Sequence, residues 1–227
     1  MAELNNQCSY CKKIFKQEKT MFVHMCEQKR RVLAKDEKAN VVGYSTFVRF
    51  FKVSQPMVAN KTYLEFCTSP YYSAFIKFGS FVTNVKPLYP DKFVEYIVTS
   101  GIKLDHWCKE EHYDKYVVEL IKNEPVETAL IRGVNHMLSW AEDSNAEWST
   151  YFTKVSLPRA TYDIKDGKIS PWLLLNSTSG KSLLKKLDDK QLEEITKVIN
   201  PVFWVEKFKK QKDDVELTRK VIMESKL

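Results

Sequence analysis

Residues 69–81 read Ser69-Pro70-Tyr71-Tyr72-Ser73-Ala74-Phe75-Ile76-Lys77-Phe78-Gly79-Ser80-Phe81. Tyr72, Phe75, Ile76, Phe78, Gly79 and Phe81 recur at three- and four-residue intervals, the spacing that lines one face of an α-helix. Pro70 sits where a helix begins, because its ring fixes φ and the missing N–H is unneeded in the first turn. The same pattern continues in both directions. Tyr44, Phe47, Val48, Phe50 and Phe51 precede it; Phe93, Tyr96 and Ile97, then Tyr113, Tyr116, Val117, Leu120 and Ile121, follow it. Tyr89-Pro90, Glu124-Pro125, Ser170-Pro171 and Asn200-Pro201 mark further helix starts, and Gly101 suits a helix end. Leu157 to Ile169, with Asp166-Gly167 as a tight turn, reads as the one extended stretch. The expected fold is mainly α, an irregular multi-helix bundle with a small N-terminal zinc-finger module. The module is assigned to residues 1–38 and the helical body to 39–227.

The composition agrees with a packed domain. The chain has 227 residues, 44% hydrophobic and 29% charged, with 6 Gly and 8 Pro, which excludes disordered, collagen-like and low-complexity classes. No run approaches the roughly 20 apolar residues that span a bilayer, and the N-terminus lacks the apolar run of a signal peptide, so a cytoplasmic location is expected. Lys and Arg outnumber Asp and Glu by 36 to 29, a formal +7. The excess concentrates in residues 8–31, where seven basic side chains face two acidic ones.

Five cysteines fit a disulfide framework poorly, and three of them fall in the first 26 residues. The order is Cys8-x2-Cys11-x12-His24-x-Cys26, with Phe15 and Met21 at the places where a two-Cys two-His finger carries its small core. Two thiolates and an imidazole in that register suit tetrahedral zinc, and about 25 residues bury too little to fold without it. The fourth ligand departs from the standard spacing. Position 28 is Gln, and Cys26 lies about 200° around a regular helix from His24, so it reaches the metal only if the helix tightens or ends near Met25. Cys26 is still the expected ligand, giving one closed, structural zinc site with no open position for a catalytic water.

The run after Cys26 places Lys29, Arg30 and Arg31 beside the metal, either as phosphate contacts for DNA or RNA or as a solvated basic face. The helix positions that would face bases hold no Arg, Asn or Gln array, so any nucleic-acid contact would be weak and unspecific. No catalytic constellation emerges. Ser179-Gly180-Lys181-Ser182 lacks the upstream Gly of a phosphate loop and reads as a helix start capped by Ser177 or Ser179. Asp105, His106, Cys108, Glu110, Glu111 and His112 lack a ligand spacing, His136 reads as a core-edge histidine, and Asp188 and Asp189 suit a helix N-terminus. By elimination the body works as a partner-binding surface, with Tyr71, Tyr72, Trp204 and Phe208 as the expected anchors.

The run Cys8-x2-Cys11 into His24-Met25-Cys26-Glu27-x-Lys29-Arg30-Arg31 resembles a family of small zinc-finger proteins of T-even-type tailed bacteriophages. So do the block at 69–79, Lys103-Leu104-Asp105-His106-Trp107-Cys108, Ile169-Ser170-Pro171-Trp172 and Asn200-Pro201-Val202-Phe203-Trp204. The resemblance implies a non-enzymatic accessory protein of virion morphogenesis, similar in role to a baseplate hub assembly catalyst. Its partners would be phage structural or assembly proteins in the infected host cytoplasm. It carries over only the zinc ligands. The alternative function is a phage DNA- or RNA-binding regulator that uses the basic finger.

Overall fold

A computed structural model describes residues 6–57 and 59–227; the first five residues of the 1–38 module lie outside them. The described residues are mainly helical and contain no strand, as the periodicity predicts; the only bridge pairs Gln7 with Ile14. Among them no helix is long and apolar enough to cross a membrane. The chain divides into two compact units, residues 1–112 and 113–227. The finger falls inside the first, and the stretch 39–227 read as one body is shared between the two.

The first unit holds α1 (Glu18–Val23), α2 (Glu27–Leu33), α3 (Lys38–Ser54), α4 (Tyr63–Thr68), α5 (Tyr72–Val85) and α6 (Pro90–Thr99). The unit boundary falls within α7 (Glu110–Asn123). Phe47, Phe66, Phe75, Phe78, Phe93 and Trp107 are buried. Each such ring taken out of water contributes roughly 1.5–3 kcal/mol. They meet edge-on or tilted, as the charge distribution of aromatic rings favours: Phe47 and Phe75 at 5.4 Å, Phe78 and Trp107 at 5.3 Å.

Helices α3 and α5 pack backbone against backbone because Gly43 and Gly79 lack side chains. A Cβ on Gly79 would fall on the Ala39 carbonyl oxygen, and one on Gly43 would come within 2.8 Å of the Phe75 carbonyl oxygen. Neither obstacle is a side chain that can swing away. Gly79→Ala is therefore expected to destabilise the protein by about 2–3 kcal/mol despite the higher helix propensity of Ala. Denaturant titration checks this, and an unchanged midpoint would show that the helices can part at no cost.

The second unit holds α8 (Val126–Ser144), α9 (Tyr151–Lys154), α10 (Leu157–Lys165), α11 (Pro171–Asn176), α12 (Thr178–Leu184), α13 (Asp189–Ile195), α14 (Pro201–Lys210) and α15 (Lys212–Glu224). Trp172, Trp204, Tyr151, Phe152, Leu173 and Ile195 are among its buried side chains. Pro90, Pro171 and Pro201 all stand in first turns, as expected. Asp188 caps α13 reciprocally with Gln191, and Ser177 rather than Ser179 caps α12 by accepting from the Gly180 N–H.

The extended stretch expected from Leu157 to Ile169 is instead α10 and its exit. Pro158 sits in the first turn, and Ala160, Thr161, Asp163 and Ile164 form one buried helical face. Gly167 takes φ 72°, donating to the Ile164 carbonyl, so the Asp-Gly pair ends a helix instead of turning a hairpin.

Candidate metal centre

The N-terminal module begins as a tight knuckle. The Cys8 N–H donates to the Lys13 carbonyl and the Lys12 N–H to the Cys8 carbonyl, both at 2.9 Å. Lys12 pays for the turn with a left-handed backbone, φ 60°. This fold-back brings Cys8 and Cys11 to one side. Helix α1 then ends at Val23, and His24 is extended at ψ 123°. Cys26 caps the next helix, its sulfur accepting from the Lys29 N–H at 3.4 Å. The geometric obstacle to the short His-x-Cys spacing disappears because His24 and Cys26 do not share a helix.

The four donor atoms of Cys8, Cys11, His24 and Cys26 all lie within 4.8 Å of one another. The Cys8 and Cys26 sulfurs are 4.0 Å apart, and the Cys11 sulfur is 3.3 Å from His24 Nε2. A tetrahedral ion with metal–sulfur bonds of about 2.3 Å sets its donors about 3.8 Å apart. The cluster can therefore hold one metal ion. The Phe15 ring, 4.7 Å from the imidazole, braces His24 from the side.

The electrostatics favour a cation. The backbone N–H of Cys11, followed by that of Tyr10, draws the Cys8 thiol down to about 7 against the cost of burial. At Cys11 the Lys13 N–H also favours the thiolate, but burial and the neighbouring sulfurs of Cys8 and Cys26 outweigh it, and the thiol is raised. Crowded thiols of this kind ionise together only around a positive charge. Among the described residues this is the one group of three or more Cys, His, Asp or Glu side chains poised for a metal. The acidic and histidine residues at 105–112 do not form another.

The three basic residues that follow the Cys/His cluster have different fates. Arg30 is exposed. Lys29 Nζ donates to the His24 carbonyl at 3.4 Å. Arg31 is consumed by the fold: it pairs with Glu27, donates to the Cys67 carbonyl at 2.9 Å, and stacks 4.3 Å from the centre of the Tyr72 ring. The Tyr63 hydroxyl donates to the Arg31 carbonyl at 2.8 Å.

Of the expected anchors, Tyr71 is exposed, whereas Tyr72 and Trp204 are core and cannot meet a partner. The Tyr72 hydroxyl donates to Asn40 Oδ1 at 2.7 Å, and Trp204 Nε1 donates to the Val198 carbonyl at 2.8 Å, so both polar ends are satisfied internally. Phe208 is half-buried against Trp172 and Trp204, at 5.0 and 5.5 Å.

A second charged group lies in the 113–227 unit. Asp163 is fully buried. Its Oδ2 accepts from the Tyr151 hydroxyl at 2.9 Å and from Arg159 Nε at 2.8 Å, and lies 2.9 Å from His136 Nε2. His136 is thus a core-edge side chain, but with a carboxylate behind it. The signal for this group was the Arg159 to Asp163 interval of four, which is visible only once the stretch is taken as helix. No family model matches the chain, and neither a curated protein nor a solved structure does.

Proposed function

We propose that this chain is a non-enzymatic binding protein. One structural zinc ion on Cys8, Cys11, His24 and Cys26 holds its N-terminal module, and the apolar side chains of that module grip another protein. Three thiolates with one imidazole are the soft, four-coordinate set that suits zinc, and a filled shell leaves no position for a reacting water. The observation that carries the reading is the exposed apolar group on the finger. Phe22 and Val23 are each 75% exposed and Ile14 is 66% exposed, with Met25 beside them in sequence. No residue of α1 is fully buried, and Met21 alone is partly so. Apolar and aromatic side chains left in water on so small a module supply the binding energy of a protein interface and contribute nothing to phosphate contact. The blocks that resemble the tailed-phage family point to baseplate hub assembly as the setting.

The runner-up, a DNA- or RNA-binding regulator, draws on the exposed Lys12, Lys13, Lys16, Lys19 and Arg30. It is weakened by the loss of Arg31 to internal contacts. Affinity purification of the zinc-loaded chain from infected cells, with mass spectrometry, separates the two: hub or baseplate proteins support the first reading, polymerase or nucleic acid the second. Phe22→Ser with Val23→Asp is expected to keep one zinc per chain and lower partner capture more than about tenfold. Unchanged capture would remove the finger face from the interface.

A further inference from the structure

Far along the chain, within the 113–227 unit, a groove of about 420 Å³ is lined by residues of α14 and α15, with Asn176 of α11 beside them. It is independent of the finger. Its floor is apolar: Val205 and Phe208 on α14 and Val215 on α15. Val205 is half exposed, and Val202, one turn earlier on the same helix, is more so. Val202, Val205 and Phe208 therefore form a strip at intervals of three along α14. Phe208 is held from behind by Trp172 and Trp204, which fixes the Phe208 end of the strip.

The rim is cationic. Lys209, Lys212 and Arg219 line it against a single acid, Glu216. Lys209 shares Glu206 at 2.8 Å, whereas among the described residues Lys212 and Arg219 make no ion pair. The volume matches a site that seats a few side chains of a ligand.

We propose that this groove takes an acidic amphipathic helix of a partner protein, its apolar anchors seated on Val205 and Phe208 and its carboxylates facing Lys209, Lys212 and Arg219. Apolar anchors at helical spacing with a charged flank are how such helices dock into grooves. A second copy of this chain fits poorly, because rim against rim would set cations on cations. A nucleic-acid strand fits poorly too, because the apolar strip offers its phosphates and bases no polar partner.

The test uses the full-length, zinc-loaded chain and a fluorescein-labelled peptide of about 14 residues, with Leu at helical spacing and Glu on the other face, read by fluorescence anisotropy. A copy with Lys in place of Glu and a single-stranded oligonucleotide of equal negative charge are the comparisons. The acidic peptide should bind, with affinity falling as salt rises, and the Lys copy should not. Val205→Asp, and Lys212→Glu with Arg219→Glu, should each weaken it more than about tenfold at unchanged helical dichroism and melting temperature, since all three side chains reach solvent. The charge-reversed variant should take up the Lys copy instead. The proposal falls if the acidic peptide does not bind, if both peptides bind alike, or if the variants bind as the parent does. It falls equally if the oligonucleotide displaces the peptide at lower concentration, or if sedimentation shows a dimer that Val205→Asp dissolves.

Discussion

Replacing Cys8 and Cys11 by Ser is expected to empty the metal site and unfold residues 6–26, while α3, α5 and the helices of the second unit stay folded. Little else holds that segment. Its one helix is six residues long, has no side-chain cap and contains no fully buried residue, and outside that helix its backbone pairing amounts to the knuckle turn and the bridge between Gln7 and Ile14. An isolated helix of that length does not persist in water. The ligand set must supply the difference, and apparent binding free energies of structural zinc in finger peptides run to about 10–16 kcal/mol near neutral pH. Elemental analysis should read one zinc per chain in the parent and none in the variant. Amide exchange should speed up across 6–26 and remain slow in α3 and α5. A variant that kept its zinc, or a zinc-free finger with protected amides, would sink the assignment.

The second large effect belongs to Asp163. Burial by itself would raise its carboxyl, but His136, Arg159 and Tyr151 outweigh that and hold it below the ordinary carboxylate range. Asp163→Ala leaves the Tyr151 hydroxyl without its acceptor in a pocket where Tyr151 is itself fully buried, and leaves His136 and Arg159 facing a void. Breaking a buried pair in this way costs about 3–5 kcal/mol. The pH dependence follows from the direction of the shift. A depressed folded-state carboxyl contributes stability above its unfolded value, about 3.9, and loses it as the pH falls through the folded value. Melting temperatures measured from neutral pH down to pH about 3 should therefore fall for the parent through that acid range. Over the same range the variant, already destabilised at neutral pH, should lack this component. Equal melting of the two proteins at neutral pH would show that the cluster is not structural.

Local rules with a single physical cause were legible in the sequence. A proline has no N–H to give, so Pro90, Pro171 and Pro201 could only open their helices. The Asp188 to Gln191 interval states its own capping box. The candidate ligand quartet was readable down to Cys26, and its short spacing already required the helix to tighten or end near Met25; that it ends at Val23, with His24 extended, is the detail only the backbone supplies. Residues 157–169 misled because β-branched Thr161, Ile164 and Ile169 suggest a strand, while the polar Asp163 sits on the buried face and breaks the apolar period of the helix. Tyr72 and Trp204 misled for another reason. Composition counts rings, but only the neighbouring elements decide which of them face water. The division between the two units was hidden because it falls inside the continuous helix α7, with no proline, glycine or polar linker to mark it.

Arg31 has a consequence for how capture would be driven. Only Met25 separates His24 from Cys26, and Cys26 opens α2, which Arg31 and Tyr63 moor to α4 and α5. A finger on a slack tether would lose backbone freedom on meeting its partner, at roughly 1–2 kcal/mol for each residue made rigid. Here that freedom is surrendered during folding, so the exposed apolar side chains of the finger would meet a partner already positioned. Under the proposed capture, Arg31 would touch no partner and would still set how much of the contact energy survives as affinity.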